Sequence, residues 1–266
     1  MKKQQLVLLV VGVVVTFFLF QLPRSVVENE QLQEVSAAEE THSMDIPAEV
    51  RNRIDQLRDS LSENVDKDKK ATFALALATE YLNYGITDSA VAVVDEEIAK
   101  DNAWDIQKAE IYFKAFERTM EIEKSKVYAQ KARSIFEKLR EKDPSNLYVR
   151  NRLAMTLVVS ENPMAGIAIL REIIAEDETN RLAILNLGLL AIQSGQFERA
   201  VDRFEKLISL NAADHEAKLY LAVALMETQK PAKASLLLEE ILATRDSIPA
   251  IKMMAGDYLK SIEKEL

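Results

Sequence analysis

The sequence predicts an all-α protein, a solenoid of stacked helical hairpins with an N-terminal transmembrane helix and a C-terminal capping helix. Three observations lead to this fold class. An apolar run lies near the N-terminus, a pattern of apolar and small residues repeats every 34 residues, and the glycines and prolines follow the frame of that pattern. Because glycine and proline disfavour helix interiors, their common frame supports the repeat independently.

The apolar run extends from residue 6 to residue 22 and follows Lys2 and Lys3. As a helix, its 17 residues reach about 26 Å, the short end of what crosses a bilayer core. A cleaved secretory signal is the alternative, but no small-x-small cleavage site follows the run. Residues 1–22 are therefore predicted to be an uncleaved membrane anchor, with residues 6–22 as the membrane contact.

Charge on the two sides of the run predicts its orientation. Two lysines precede it, and Glu28, Glu30 and Glu34 follow it. By the positive-inside rule, this asymmetry places the N-terminus in the cytoplasm. We therefore expect a single-pass protein of the inner (cytoplasmic) membrane, with its C-terminal domain on the extracytoplasmic, periplasmic side.

The segment after the anchor, residues 23–44, is rich in Glu, Ser and Gln and has no sustained apolar period. Such a composition is typical of an acidic flexible tether. Residues 45–266 are predicted to form the folded domain. Its first element is predicted to be an amphipathic helix at residues 47–62, which caps the first repeat. Apolar residues recur in it at helical spacing. These residues are Val50, Ile54, Leu57 and Leu61.

The repeat is clearest between residues 181 and 214. Its pattern consists of Ile184, Leu187, Gly188, Ala191, Gly195, Ala200 and Phe204. Large apolar and small residues recur in the same register one period before and one period after it, and again further upstream. The predicted units are 71–104, 105–146, 147–180, 181–214 and 215–248, followed by a capping helix at 249–266.

One unit, 105–146, has 42 residues, eight more than the period. Eight residues are about two helical turns. We therefore expect both helices of this unit to be about one turn longer and to meet near Glu121 to Ser125.

Glycine and proline positions agree with the frame. Gly85 and Gly195 fall at predicted turns between paired helices, and Gly166 falls at a small-residue position. Pro163 and Pro231 fall in the first turn of a second helix, where the missing N–H is harmless.

This pattern resembles the tetratricopeptide repeat, a family of right-handed helical-hairpin solenoids. The resemblance implies a concave groove lined by the first helix of each hairpin and suited to extended peptides or helices. In this sequence the implied groove is largely apolar. Its predicted residues are Tyr148, Asn151, Met155, Val158, Val159, Leu182, Leu185, Leu189, Ile192, Gln193, Leu219, Val223 and Met226.

Two interpretations of this lining remain open. It binds an amphipathic or apolar segment of a partner, or it is used internally, in packing between helices or by burying the helix at 47–62. The family's known clamp for a C-terminal carboxylate is absent from the matching positions, which read Asn151, Met155, Asn186, Glu216 and Tyr220. An acidic tail is therefore a poor ligand for this groove, and Glu216 is expected to repel it.

Composition excludes several other functions. The net charge of −9, from 34 basic and 43 acidic residues, disfavours nucleic-acid binding. Cysteine is absent, and the two histidines, His42 and His215, have no acidic or histidine neighbours at metal-ligand spacing. No nucleophile or phosphate-binding motif occurs, so neither catalysis nor a cofactor or metal is expected.

The predicted function is thus non-catalytic. We expect a membrane-tethered adaptor or assembly factor that binds another protein through an apolar or helical segment. A homo-oligomeric structural scaffold using the same apolar surfaces is the alternative.

Overall fold

The computed structural model describes residues 46–63, 66–98, 100–160, 162–245 and 247–265. Across these ranges the chain forms twelve α-helices and one short 3-10 helix, and none of these residues lies in a strand. The all-α class predicted from the sequence is confirmed. Described residues up to 135 belong to one compact unit, and those from 136 onward belong to a second.

The first unit contains four helices and the beginning of a fifth. They are α1 (Ala48–Glu63), α2 (Lys67–Asn83), α3 (Thr87–Glu97), the 3-10 helix Asn102–Trp104, α4 (Asp105–Arg118) and α5 (Ile122–Lys142). Helix α2 begins where the Asp66 carboxylate accepts a hydrogen bond from the Lys69 N–H. The turn between α2 and α3 contains Gly85 at φ +73°, a conformation that residues with a Cβ rarely adopt.

Helix α1 packs against α2 within this unit. Its apolar face is buried at Ile54 and Leu61, and the Arg58 Nε donates a hydrogen bond of 2.8 Å to the Tyr81 hydroxyl. The amphipathic pattern at residues 47–62 thus lies on a helix whose apolar face is buried at these two positions and half-buried at Val50 and Leu57.

The extra residues of the stretch 105–146 lengthen a single helix. Helix α4 has 14 residues, whereas α5 has 21. Helix α4 ends because Thr119 adopts an extended conformation, and the Thr119 hydroxyl accepts a hydrogen bond from the Glu121 N–H. The expectation that both helices lengthen by a turn therefore differs from the structure.

Two carboxylates on α3 hold α5. Asp88 accepts hydrogen bonds from the Tyr128 hydroxyl and the Lys124 ammonium. Asp95, two turns further along α3, accepts one from the Lys131 ammonium at 2.5 Å. These contacts fix α5 along α3 with charge-assisted bonds as well as apolar packing.

The second unit contains three hairpins and a final helix. Its helices are α6 (Leu147–Val158), α7 (Pro163–Glu176), α8 (Arg181–Gln193), α9 (Phe197–Leu210), α10 (His215–Glu227), α11 (Pro231–Ala243) and α12 (Pro249–Glu265). Each first helix begins at a capping side chain that accepts a hydrogen bond from a backbone N–H three residues later. The capping residues are Asn146, Asn180 and Asp214.

The core of this unit lies between adjacent hairpins. Phe204 is fully buried, and its ring stacks on Tyr220 with the centroids 5.7 Å apart. The same cluster extends to α12 through Ala255, Tyr258 and Ile262. Helix α12 therefore covers the last hairpin.

The membrane prediction requires a correction. Among the described residues, every helix is too short or too polar to span a bilayer. The predicted localisation, a single-pass protein of the inner membrane with a periplasmic domain, is wrong on this finding, and a membrane partner is unsupported. The predicted anchor at 1–22 and tether at 23–44 lie outside the described residues.

Candidate functional site

The residues predicted to line the groove all lie in the second unit. They come from α6, α8 and α10, the first helices of three consecutive hairpins, with Val159 directly after α6. Their spacing places them on comparable faces of these helices. They differ, however, in how far neighbouring helices cover them.

Five of the predicted residues are buried. They are Asn151, Leu185, Ile192, Leu219 and Val223. The two on α10 are each only 1% exposed, and they belong to the core cluster shared with α12. Their side chains pack between helices.

The other eight residues remain accessible to different degrees. Tyr148 is the most exposed, at 40%, and the Arg152 guanidinium lies 5.2 Å from its ring centroid. The half-buried members are Met155, Val158, Val159, Leu182, Leu189, Gln193 and Met226. Gln193 is the polar member of that half-buried set. We call these eight residues the apolar row.

A charged cluster lies beside this row, at the start of α8 and α10. The Arg181 guanidinium donates hydrogen bonds of 2.7 and 2.9 Å to the two carboxylate oxygens of Asp214, and one of 2.7 Å to Glu216. Asp214 also caps α10 by accepting a hydrogen bond from the Ala217 N–H. The sequence reasoning expected Glu216 to repel acidic ligands, but Arg181 neutralises it.

The electrostatics of this cluster follow from its geometry. Burial opposes ionisation of Asp214, but the hydrogen bonds from Arg181 and from the Ala217 N–H outweigh it, so the pKa of the Asp214 carboxyl lies below its usual value. The hydrogen bonds that Arg181 donates to Asp214 and Glu216 raise the pKa of its guanidinium. Both groups are therefore charged at neutral pH.

The Asp214–Arg181 contact predicts acid sensitivity. Because the pKa of Asp214 is lowered in the folded state, its contribution to stability is present above the unfolded value near 4 and is lost as pH falls below it. Asp214→Asn keeps the cap and removes the charge. We expect it to lower the free energy of unfolding by about 1 kcal/mol at pH 7, since Arg181 is half exposed and solvent screens the pair.

Urea unfolding at several pH values measures this effect. The gap between wild type and Asp214→Asn should close as pH falls toward about 2. Asp59→Asn, at an exposed position of α1, is the matched control. A gap of equal size at both ends of the pH range would contradict the proposed ionic contribution.

Two further ion pairs join the helices of a hairpin. The Arg150 guanidinium donates to both carboxylate oxygens of Glu176, at 2.6 and 2.7 Å, and Lys218 donates to Glu240 at 2.5 Å. Arg150 and Lys218 occupy the same position in their units, on first helices, and both are buried. Sequence reasoning missed them, although a cation at a repeated core-facing position is a usable signal.

The part of the chain that the structure describes contains no candidate metal site. In that part, no three His, Asp or Glu side chains are arranged to hold a metal ion. Helix α4 carries three neighbouring aromatic residues, Tyr112, Phe113 and Phe116, and all three are buried in the core.

Comparisons with known proteins agree with this architecture. Residues 191–256 match the family model of the tetratricopeptide repeat. No curated protein matches the chain in sequence.

Two solved structures are similar in fold. One is a tetratricopeptide repeat protein from Parabacteroides merdae, 15% identical, with a TM-score of 0.54 over 81% of this chain and 86% of that one. The other is a thermophilic protein with the same repeat from Thermus thermophilus, 14% identical, with a TM-score of 0.51 over 70% of this chain and 97% of that one. At such identities the likeness concerns the fold alone.

Proposed function

We propose that this chain, a tetratricopeptide repeat protein, is a non-catalytic adaptor or assembly factor that holds an apolar or amphipathic helical segment of another protein on the apolar row. Proteins with these repeats bind other proteins. The observation that carries the proposal is the row itself, which presents one exposed tyrosine and six half-buried apolar side chains on consecutive first helices.

The half-buried state of these side chains favours binding. Met155, Leu189 and Met226 pack partly against the core clusters, so these side chains lose little rotamer entropy when a partner covers the remainder. Met155 and Met226 add side chains that adapt to irregular partner surfaces. An amphipathic helix laid across first helices would bury its apolar face in this way.

One alternative to partner binding is that the row buries the apolar face of the helix at 47–62. In the structure, Ile54 and Leu61 of α1 are buried against α2. Two of the four apolar residues of that face are therefore already buried within their own unit, which leaves less apolar surface on α1 that could cover the row.

Site-specific photocrosslinking of the full chain tests the proposal. A crosslinking amino acid at Tyr148 or Leu189 should form a product with a second, different polypeptide. The same amino acid at Leu236, which is 67% exposed on the second helix α11, is the matched control and should not. Purely intramolecular products at Tyr148 and Leu189 would refute the proposal.

Substitution of Tyr148 sharpens the test. Tyr148→Ala should weaken binding of the crosslinked partner about tenfold, because interface tyrosines contribute disproportionately to affinity. Thermal stability should stay nearly unchanged, since the side chain is 40% exposed. Leu236→Ala should leave the affinity as it is.

A homo-oligomeric scaffold is the second candidate. The observation that favours it is a set of exposed apolar side chains near the C-terminus, Leu242, Ile248 and Met253, of which the last two are 62% and 64% exposed. Such side chains often mark contacts between copies. Light scattering of the full chain decides: a monomer at high concentration would contradict self-assembly.

A further inference from the structure

Helix α9 carries basic side chains along one flank. Arg199, Arg203 and Lys206 are spaced by four and three residues and therefore lie on the same face. Three exposed acidic residues form a parallel row, each one position earlier in the sequence. They are Glu198, Asp202 and Glu205. Positive and negative charges on this helix are thus segregated onto adjacent faces.

The basic flank of α9 lies close to the second helix of the preceding hairpin, α7, and to the turn after it. The Lys206 ammonium is 3.8 Å from a carboxylate oxygen of Glu178, and the charge of Arg171 acts on Arg203. Ile174 of α7 packs against the core cluster that contains Phe204 and Leu207 of α9. Arg171 lies three residues before Ile174, on the same side of α7. Arg171 therefore joins Arg199, Arg203 and Lys206 along the space between the two helices, which we call the basic furrow.

The surroundings of Arg203 in the furrow disfavour its positive charge. Its side chain is half-buried, and desolvation, followed by the charges of Arg171 and Arg199, lowers the pKa of its guanidinium. Asp202 acts in the opposite direction but more weakly. Clustering like charges at a partly desolvated position destabilises the unliganded protein.

Other cations of this unit show that the repeat does not require arginines without a paired carboxylate. Arg150 and Arg181 each form close ion pairs with carboxylates. By contrast, Arg171 and Arg203 have no hydrogen bond or ion pair with any carboxylate among the described residues. Lys206 approaches Glu178 only at 3.8 Å. In a protein of net charge −9, Arg171 and Arg203 are thus two neighbouring cations without a paired carboxylate.

We propose that the basic furrow is a second binding site, distinct from the apolar row, and that it binds an acidic peptide segment of a partner protein. Guanidinium groups match carboxylates in bidentate geometry, so a peptide rich in Glu or Asp supplies the missing counter-charges.

The spacing of the furrow favours an extended peptide. Arg199 and Arg203 are separated by about 6 Å along the helix axis, from four residues of rise. Alternate side chains of an extended peptide project to the same side about 7 Å apart. Acidic residues at every second position of the peptide therefore match the two arginines. A single phosphate, which needs converging donors, fits this linear array less well.

Fluorescence anisotropy with the full chain at low ionic strength tests the site. The probe is a short fluorescein-labelled peptide in which glutamate alternates with serine. The variant R171Q/R199Q/R203Q should bind it about tenfold more weakly than wild type, as expected for the loss of two or three exposed charge-assisted contacts. A peptide with glutamine in place of glutamate should not bind.

The matched control removes three exposed cations elsewhere, with Lys138→Gln, Arg140→Gln and Lys233→Gln. It has the same net charge and should retain wild-type affinity. If both triple variants lost the same affinity for the peptide, the loss would be due to the change in net charge, which would overturn the proposal. So would the absence of binding by wild type, or displacement of the peptide by inorganic phosphate at equal charge concentration.

A stability measurement separates a binding site from a structural role. Arg203→Gln keeps most of the aliphatic stem and removes the like charge, so the Tm of the unliganded protein at low ionic strength should rise by about 2 °C. A lowered Tm would mean that the charge of Arg203 stabilises the fold. Arg203 would then have a structural role, and the proposed binding site would be refuted.

Discussion

Gly166→Ala should lower the free energy of unfolding by about 3 kcal/mol, at the upper end of overpacking costs, because α6 leaves no room for a methyl group. A Cβ at this position would lie 2.3 Å from the backbone carbonyl oxygen of Ala154 and 2.9 Å from Cγ2 of Val158. The nearest neighbour is backbone, so the whole of α6 would have to move away from α7. Urea unfolding measures the loss, and Tm should fall by about 10 °C.

Gly256→Ala is the matched control. Gly256 also lies inside a helix, but the nearest atom to its added Cβ is Cδ2 of Leu242 at 3.9 Å, an ordinary van der Waals distance. Replacing a helical glycine with alanine removes a backbone-entropy cost, so we expect stabilisation by about 0.5 kcal/mol. Similar effects at Gly166 and Gly256 would show that the close approach of α6 and α7 is not what requires glycine.

Gly166 also shows what the sequence could predict. The period placed Gly166 at a small-residue position, and it placed Pro163 and Pro231 in the first turn of their helices, where the structure has them. Gly85 and Gly195, assigned to turns, have φ of +73° and +70°. The steric requirements of a single residue depend on its local position, so they can be predicted from its position in the repeat. The all-α class follows from the same regularity.

Other features depend on neighbours that a sequence pattern does not identify. The eight extra residues of 105–146 are compatible with two longer helices or one, and the extended conformation of Thr119 assigns most of the added length to α5. Likewise, the frame gives the direction in which Leu219 and Val223 point, but it does not reveal that their side chains pack into the core cluster shared with α12.

Of these features, the ion pairs between side chains could be predicted least well from the sequence. Glu216 reads as an isolated acidic residue, yet Arg181, one repeat earlier, is hydrogen-bonded to it. Arg171 and Arg203 read as ordinary surface cations, although the structure brings them together across two hairpins. Contacts between equivalent helices of adjacent repeats join residues about one period apart, where i to i+4 reasoning along a helix does not apply.

Phe204→Ala should have the largest effect of all, a loss of about 4 kcal/mol in the free energy of unfolding. The ring is fully buried, stacks on Tyr220 and lies directly over Gly188. Its removal leaves a cavity between two hairpins that the surrounding helices cannot close without losing other contacts. Urea unfolding of the full chain gives the value, and a loss below about 1 kcal/mol would contradict this packing.

A double-mutant cycle with Gly188 shows whether the ring acts through that contact. A Cβ at Gly188 would lie 2.7 Å from two ring carbons of Phe204, so Gly188→Ala alone should cost about 2 kcal/mol. Once Phe204 is alanine, the clash is gone and the methyl group fills part of the cavity. The double variant should therefore be about 2 kcal/mol more stable than the sum of the single losses predicts. Strict additivity would mean that something other than the Phe204 ring requires glycine at position 188.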